Sequence, residues 1–167
     1  DGGIAGNLNN IFLSSAEKSS LEEYRHDLLE IFGGDIAPNF NTISSGFNGT
    51  GRCIRNSNRA VVRFFASIGG VVGRKTGNIR VPPWIYMNEQ ATQSFLAAYL
   101  GNELCSPKFR EGHHSLTSLD VAICGSPGLR QNRLDFLRQL ERILNSYGVY
   151  CNPICETKYR GYRIMWR

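Results

Sequence analysis

The sequence predicts an α+β fold made of two similar repeats that are related by a pseudo-twofold axis. Strand and helix signals follow one another in the same order in both halves of the 167 residues. The central helix of each half is expected to stop at a glycine, Gly33 or Gly148, and a proline follows within six residues of each, Pro38 or Pro153. With 41% apolar and 20% charged residues, the composition is that of a globular chain.

The first repeat is predicted to span residues 1–70. Strands at 3–6 and 11–14 precede a helix that begins at Ser19 or Ser20, because small polar residues cap helices and acidic residues suit the first turn. The elements expected after it are strands at 36–43 and 51–55, followed by a helix that starts after Asn56 or Ser57 and ends at Gly69.

Residues 71–87 are predicted to link the repeats, since Pro82 and Pro83 cannot continue a helix. The second repeat, residues 88–167, begins with a helix that Asn88 caps and that runs to about Leu104. The elements expected after it are strands at 108–111 and 117–124, a helix at 129–147, and strands at 149–156 and 159–166. No apolar run is long enough for a membrane span, so a membrane partner is not expected.

Charge is unevenly distributed along the chain. The net charge is +5, and residues 36–88 carry seven basic side chains and no acidic one. The last eleven residues hold four more basic side chains, again without an acid. Clustered arginine is typical of nucleic-acid-binding proteins, because the guanidinium group matches the geometry of phosphates and base edges. The alternative is a soluble basic protein in which these side chains form a solvated face. Five cysteines without a CxxC pair, and no visible secretory signal, predict reduced thiols in an intracellular protein.

One side of the helix predicted at 88–104 carries only small side chains. That side is formed by small residues, Ala91, Ser94, Ala97, Ala98 and Gly101. A small-residue face lets two helix backbones approach closely, and it also occurs in ordinary cores. Glu103 stands at the end of this helix. If a twin helix crosses here, its last carboxylate lies beside Glu103, and two such carboxylates can hold a divalent metal.

The run FLAAYLGNEL at residues 95–104, preceded by VPPWI at 81–85, resembles the second motif of the LAGLIDADG homing endonucleases. Asp1, Gly2 and Gly3 resemble the end of the first motif, and most of the helix of that motif is missing from the sequence, as expected of a truncated or a degenerate member of the family. The segment between the motifs is similar in its order of elements. The resemblance implies two ββαββα-type repeats that form a saddle of antiparallel sheets.

The same resemblance implies a monomeric endonuclease that cleaves double-stranded DNA with Mg²⁺ or another divalent cation. Asp1 and Glu103 would be the catalytic and metal-binding acids. Ser14, Arg55 and Arg167 would lie at the periphery of the active site. Nucleic acid would be bound by the basic residues of the strands, Arg52, Arg55, Lys158, Arg160 and Arg163, which are expected to share one concave face.

The sequence departs from the family pattern beside the second acid. Gly101 replaces the penultimate acid of the motif, and Leu104 replaces the glycine that follows the catalytic acid. These departures keep a second hypothesis open: a catalytically inactive, nucleic-acid-binding descendant, such as an RNA intron maturase or a structural component of a ribosome or another ribonucleoprotein. A small-molecule enzyme is disfavoured, because the sequence has no P-loop, dinucleotide-binding or Ser-His-Asp signature.

Overall fold

The computed structural model describes residues 2–45, 51–105, 108–110, 112, 114–116, 119–124, 127–156 and 161–165. The chain divides into two compact units, residues 1–75 and residues 76–167. The boundary falls inside the segment that was predicted to be a linker. Each unit has its own hydrophobic core and is described separately.

The first unit is an antiparallel sheet with helices packed on one side. Its described elements are β1 (Gly2–Ile4), β2 (Ile11–Ser15), α1 (Lys18–Phe32), a 3₁₀ helix (Gly34–Asn39), β3 (Phe40–Ser45), β4 (Gly51–Asn56) and α2 (Arg59–Ser67). The strands are ordered β1-β2-β4-β3, and all neighbours are antiparallel.

Side-chain alternation gives this sheet one covered and one open face. Ile4 and Ile11 lie directly opposite each other on β1 and β2 and are buried with Leu28 of α1 and with Val61 and Val62 of α2. Because successive side chains of a strand point to opposite faces, the residues between them line the other side of the sheet. The helices therefore cover one face only.

The predicted strand at 36–43 is wrong in its first half. The chain forms a 3₁₀ helix over Gly34–Asn39, and β3 begins at Phe40. Pro38 lies inside the 3₁₀ segment, where its fixed backbone angle is tolerated and its missing N–H is not needed by a strand ladder. Ile36 is nevertheless buried, so its apolar character reflects the core and not a strand.

The cap of α2 is Asn58 and not Asn56 or Ser57. The Asn58 side chain accepts hydrogen bonds from the backbone N–H groups of Ala60 and Val61, at 3.0 and 3.4 Å. Asn56 is fully buried instead. Its amide donates to the Ile36 carbonyl at 3.3 Å, and its side-chain oxygen accepts from the Asn58 N–H at 2.9 Å. Asn56 thus fixes the 3₁₀ segment and the start of α2 together.

The second unit repeats the order of strands and helices. Its described elements are a 3₁₀ helix (Pro83–Met87), α3 (Glu89–Glu103), β5 (Phe109–Arg110), β6 (Ser115–Leu116), β7 (Asp120–Cys124), a 3₁₀ helix (Pro127–Leu129), α4 (Arg130–Ser146), β8 (Cys155–Glu156) and β9 (Gly161–Met165). β5 and β6 form a hairpin, and the order β7-β9-β8 matches the order β2-β4-β3 of the first unit. β8 is shorter than the predicted strand at 149–156, since Pro153 cannot donate to a ladder.

The core of the second unit lies between α3, α4 and β7. Val121, Phe136, Leu137 and Leu140 are almost completely buried. Tyr99 of α3 meets the Phe136 ring edge-to-face at 5.3 Å. The segment before α3 also belongs to this core, where Val81 and Ile85 are buried. No helix within the described residues is long and apolar enough to cross a membrane.

Candidate functional site

Glu103 is the last residue of α3, and its side chain is exposed. The helix is fixed at its other end by Asn88, whose side chain accepts a hydrogen bond from the Ala91 N–H at 2.9 Å. One side of α3 packs on the core through residues that include Phe95, Tyr99 and Leu100. The sequence therefore folds into a helix that carries a carboxylate at its C-terminal end and holds it out to solvent.

Glu103 is an acidic residue at the negative end of a helix dipole. The C-terminal end of a helix carries partial negative charge, and the last turn of α3 contains no basic residue to offset it. Among the described residues, none donates a hydrogen bond to Glu103 or forms an ion pair with it. Burial, and secondarily the Glu103 charge, hold the pKa of Tyr99 well above its usual range. A cation at this position would relieve the excess of negative charge.

The chain leaves α3 along a short antiparallel contact with β7. Leu104 pairs with Val121, and the Cys105 N–H donates to the Asp120 carbonyl at 3.0 Å. The Cys105 thiol also hydrogen-bonds to the Asp120 carboxylate, which raises the pKa of Cys105. These contacts fix the backbone directly after Glu103. The sequence alone did not single out Asp120, because its pairing with Cys105 spans a loop.

The small-residue face of α3 is open to solvent. Ser94, Ala97, Ala98 and Gly101 are all exposed, and a Cβ built at Gly101 would meet no atom within 4 Å. Only Ala91 of the predicted stripe packs against the core. The described part of the chain therefore leaves this face uncovered, and the bulky face is the one that holds α3 in place.

Replacing Gly101 with alanine is expected to stabilise the protein by about 0.5–1 kcal/mol, since glycine loses more backbone entropy than alanine on entering a helix. Denaturant unfolding measures the change. Gly148→Ala is the matched control: its φ of +75° is strained for any residue with a Cβ, so that variant should lose stability. Lower stability of Gly101→Ala would show that another segment packs against this face.

A groove of about 290 Å³ lies on the open face of the first unit. It brings together Ser14 and Arg55, two of the residues predicted at the periphery of the active site. The full lining is Ala5, Asn7, Asn10, Phe12, Ser14, Cys53 and Arg55. Sequence reasoning missed Asn7 and Asn10, although the asparagine-rich turn between β1 and β2 was visible. Amide and guanidinium groups in one groove provide several hydrogen-bond donors and acceptors.

Arg52 does not share the face of Arg55. Both residues lie on β4, which pairs with β2 in an unbroken register from Ile11↔Asn56 to Ser15↔Arg52. Residues three apart in a regular strand point to opposite faces of the sheet. The Arg52 side chain therefore lies on the same face as Asn56, and the Arg55 side chain lies on the face that contains the groove. The prediction that the strand arginines occupy one concave face is wrong for this pair.

The other predicted site residues are less fully described. Asp1, Lys158, Arg160 and Arg167 lie outside the described residues. Arg163 belongs to β9, where its backbone pairs with Ala122 and Cys155. The roles of these five residues stay predictions.

Potential metal ligands are close together at one place in the described part of the chain. The ligand atoms of His26, Asp27 and Glu30 all lie within 4.8 Å of one another on α1, and all three side chains are exposed. The imidazole is 3.9 Å from Asp27 and 3.8 Å from Glu30. These residues lie on the solvent side of a helix that covers the back of the sheet. They are separate from the groove and from the predicted acids.

Comparison with solved structures gives the fold. The chain is similar to I-DmoI in complex with DNA and Mn, with a TM-score of 0.57 and 15% identity, over 95% of this chain and 73% of that chain. I-DmoI is a LAGLIDADG homing endonuclease. This chain has the LAGLIDADG homing endonuclease fold.

Two further structures of I-DmoI are also similar to this chain. A variant with nicked target DNA and Mn matches with a TM-score of 0.57 and 14% identity, over 95% of this chain and 73% of that chain. I-DmoI in complex with DNA and Ca matches with a TM-score of 0.53 and 14% identity, over 95% of this chain and 68% of that chain. No family model and no curated protein sequence matches the chain. The likeness thus lies in the fold and not in overall sequence.

Proposed function

We propose that this protein is a site-specific DNA endonuclease that uses a divalent cation. The observation that carries the proposal is Glu103: an exposed carboxylate at the negative end of α3, with no basic residue in the last turn, in a chain that has a homing endonuclease fold. Glu103 has no hydrogen-bond or ion-pair partner among the described residues, so its carboxylate is available to a metal ion that faces a phosphodiester.

The position of Arg55 supports DNA binding on the open face of the first unit. The helices on the covered face carry four exposed acids, Glu22, Glu23, Asp27 and Glu30, and four exposed basic residues, Lys18, Arg25, Arg59 and Arg63, so their charges cancel. The groove on the open face is lined by Arg55 and by no acidic residue. An exposed guanidinium without an acid beside it attracts the phosphate groups of DNA.

The donor set at the end of α3 fits a hard divalent cation. A carboxylate oxygen, with water as the remaining ligand, suits Mg²⁺, Mn²⁺ or Ca²⁺ better than a metal that prefers sulfur or nitrogen. Asp1 is proposed as the second acid. A cation bound there would lower the pKa of attacking water and offset charge on the scissile phosphate. Glu103 would hold and orient that cation, while the groove residues bind DNA.

Cleavage of a DNA library tests the proposal, because such a library contains the target without its sequence having to be known. The protein is incubated with linear DNA that contains a randomised window, in the presence of Mg²⁺ or Mn²⁺, and the newly formed ends are sequenced. The expected result is cleavage at a recurring sequence that EDTA abolishes. Cleavage without sequence preference, or cleavage that survives EDTA, would contradict the proposal.

The departures at Gly101 and Leu104 give the second candidate, a non-catalytic nucleic-acid-binding protein. In that case the DNA library would be retained by the protein but never cut. Preferential binding of structured RNA over duplex DNA, in a direct competition, would favour the RNA-binding form of this candidate. The two functions are thus separated by one cleavage assay and one binding assay on the same preparation.

A further inference from the structure

We infer that the open face of the first unit reads a guanine with Arg55 and an adenine, no more than two base pairs away, with Asn41. This inference rests on the proposed function and names part of the DNA sequence that the protein would select. In this inference Arg55 determines sequence specificity, whereas Arg52 does not, because it lies on the other face of the same strand.

The register of the sheet places the two side chains next to each other. Arg55 of β4 lies directly opposite Asn41 of β3 on one side and opposite Phe12 of β2 on the other. Directly opposed residues of antiparallel strands point to the same face. Phe12 and Arg55 both line the groove, so this cross-strand row belongs to the open face.

Both polar side chains of the row are free to bind a ligand. Arg55 and Asn41 are exposed. Within the described residues, neither side chain forms a hydrogen bond or an ion pair. By contrast, Arg25 lies 5.5 Å from the centre of the Phe40 ring, and Arg138 lies 3.4 Å from Asp135. A guanidinium and an amide left unpartnered side by side are suited to recognition and not to holding the fold together.

The chemistry of the two groups selects purines. An arginine fork matches the O6 and N7 acceptors of guanine in the major groove, and an asparagine amide matches the N6 donor and N7 acceptor of adenine. Opposed Cβ atoms lie about 5 Å apart, and bases stack about 3.4 Å apart along a strand. Adjacent side chains of the row therefore reach bases that are neighbours or next neighbours.

Binding selection on a randomised duplex library tests the inference, with EDTA present so that retained DNA is not cut. Wild type is compared with Arg55→Gln, Asn41→Ala and Arg52→Gln. Arg52→Gln is the matched control, because Arg52 is an exposed arginine of the same strand on the opposite face. A thermal melt of each variant checks that the fold is intact.

The expected result is a motif in which wild type and Arg52→Gln prefer the same guanine. Arg55→Gln should lose that preference by about tenfold or more, and Asn41→Ala should lose the nearby adenine only. If Arg55→Gln keeps the guanine and merely binds all sequences more weakly, Arg55 contacts phosphate and the inference is overturned. Because the selection does not need cleavage, a protein that binds this motif but never cuts would refute the endonuclease and leave the inference standing. Retention of no duplex at all would overturn both.

Discussion

Glu103→Gln is expected to lower the rate of DNA cleavage by about a hundredfold or more while DNA affinity stays nearly unchanged. Glutamine keeps the shape of the side chain but removes the charge that would hold a divalent cation, and losing one electrostatic contact to a transition state typically costs at least this much. DNA affinity rests on basic side chains elsewhere, so it should survive. Single-turnover cleavage and equilibrium binding, measured on a DNA site recovered from the library, give the two quantities.

Glu89→Gln is the matched control for this variant. Glu89 is an exposed glutamate of the same helix but lies in its first turn, where an acid suits the helix dipole. That variant should cleave like wild type. Equal losses of cleavage in both variants, or a parallel loss of DNA binding in Glu103→Gln, would contradict the role assigned to Glu103.

Phe136→Ala is expected to lower the free energy of unfolding by about 3–5 kcal/mol, the usual cost of removing a buried aromatic ring from a core. The Phe136 ring is 2% exposed and packs against Tyr99, which joins α4 to α3. Loss of the ring should therefore loosen the helix that carries Glu103. Both tryptophans of the sequence lie within residues 76–167, so tryptophan fluorescence during denaturant unfolding reports on this unit.

Phe109→Ala is the control for the core substitution. Phe109 is 63% exposed on β5, and its truncation should change stability by less than about 0.5 kcal/mol. A similarly small loss for Phe136→Ala would mean that the core of the second unit does not depend on the α3–α4 contact.

Local signals in the sequence predict most of the elements but not their exact bounds. Asn88 was identified as the cap of α3 from its position alone, and the structure confirms it. The cap of α2 was misplaced because Asn56 is taken into the core, where it bonds to Ile36. That contact joins residues twenty apart in the chain, and no local pattern reveals it. The prediction of a strand at 36–43 was wrong for a related reason. A buried apolar residue such as Ile36 gives the same sequence pattern in a strand and in a 3₁₀ turn.

The candidate site was predictable to a similar extent. The sequence predicts Glu103 and Arg55 as site residues, and their roles stay predictions. The open environment of Glu103 depends on how α3 packs against α4 and β7. The grouping of Arg52 with Arg55 overlooked the alternation of a strand, which already places residues three apart on opposite faces. Asn41 was not recognised, because only the pairing of β3 with β4 brings it beside Arg55.

The central claim is that this chain cuts DNA by metal-dependent hydrolysis at a defined sequence. End-group analysis of DNA incubated with the wild-type protein and Mg²⁺ tests it most directly. Attack by water with departure of the 3′ oxygen predicts 5′-phosphate and 3′-hydroxyl ends at one fixed position on each strand, which a DNA ligase can rejoin. DNA that is bound at that sequence but remains intact after prolonged incubation with Mg²⁺ or Mn²⁺ would contradict the claim.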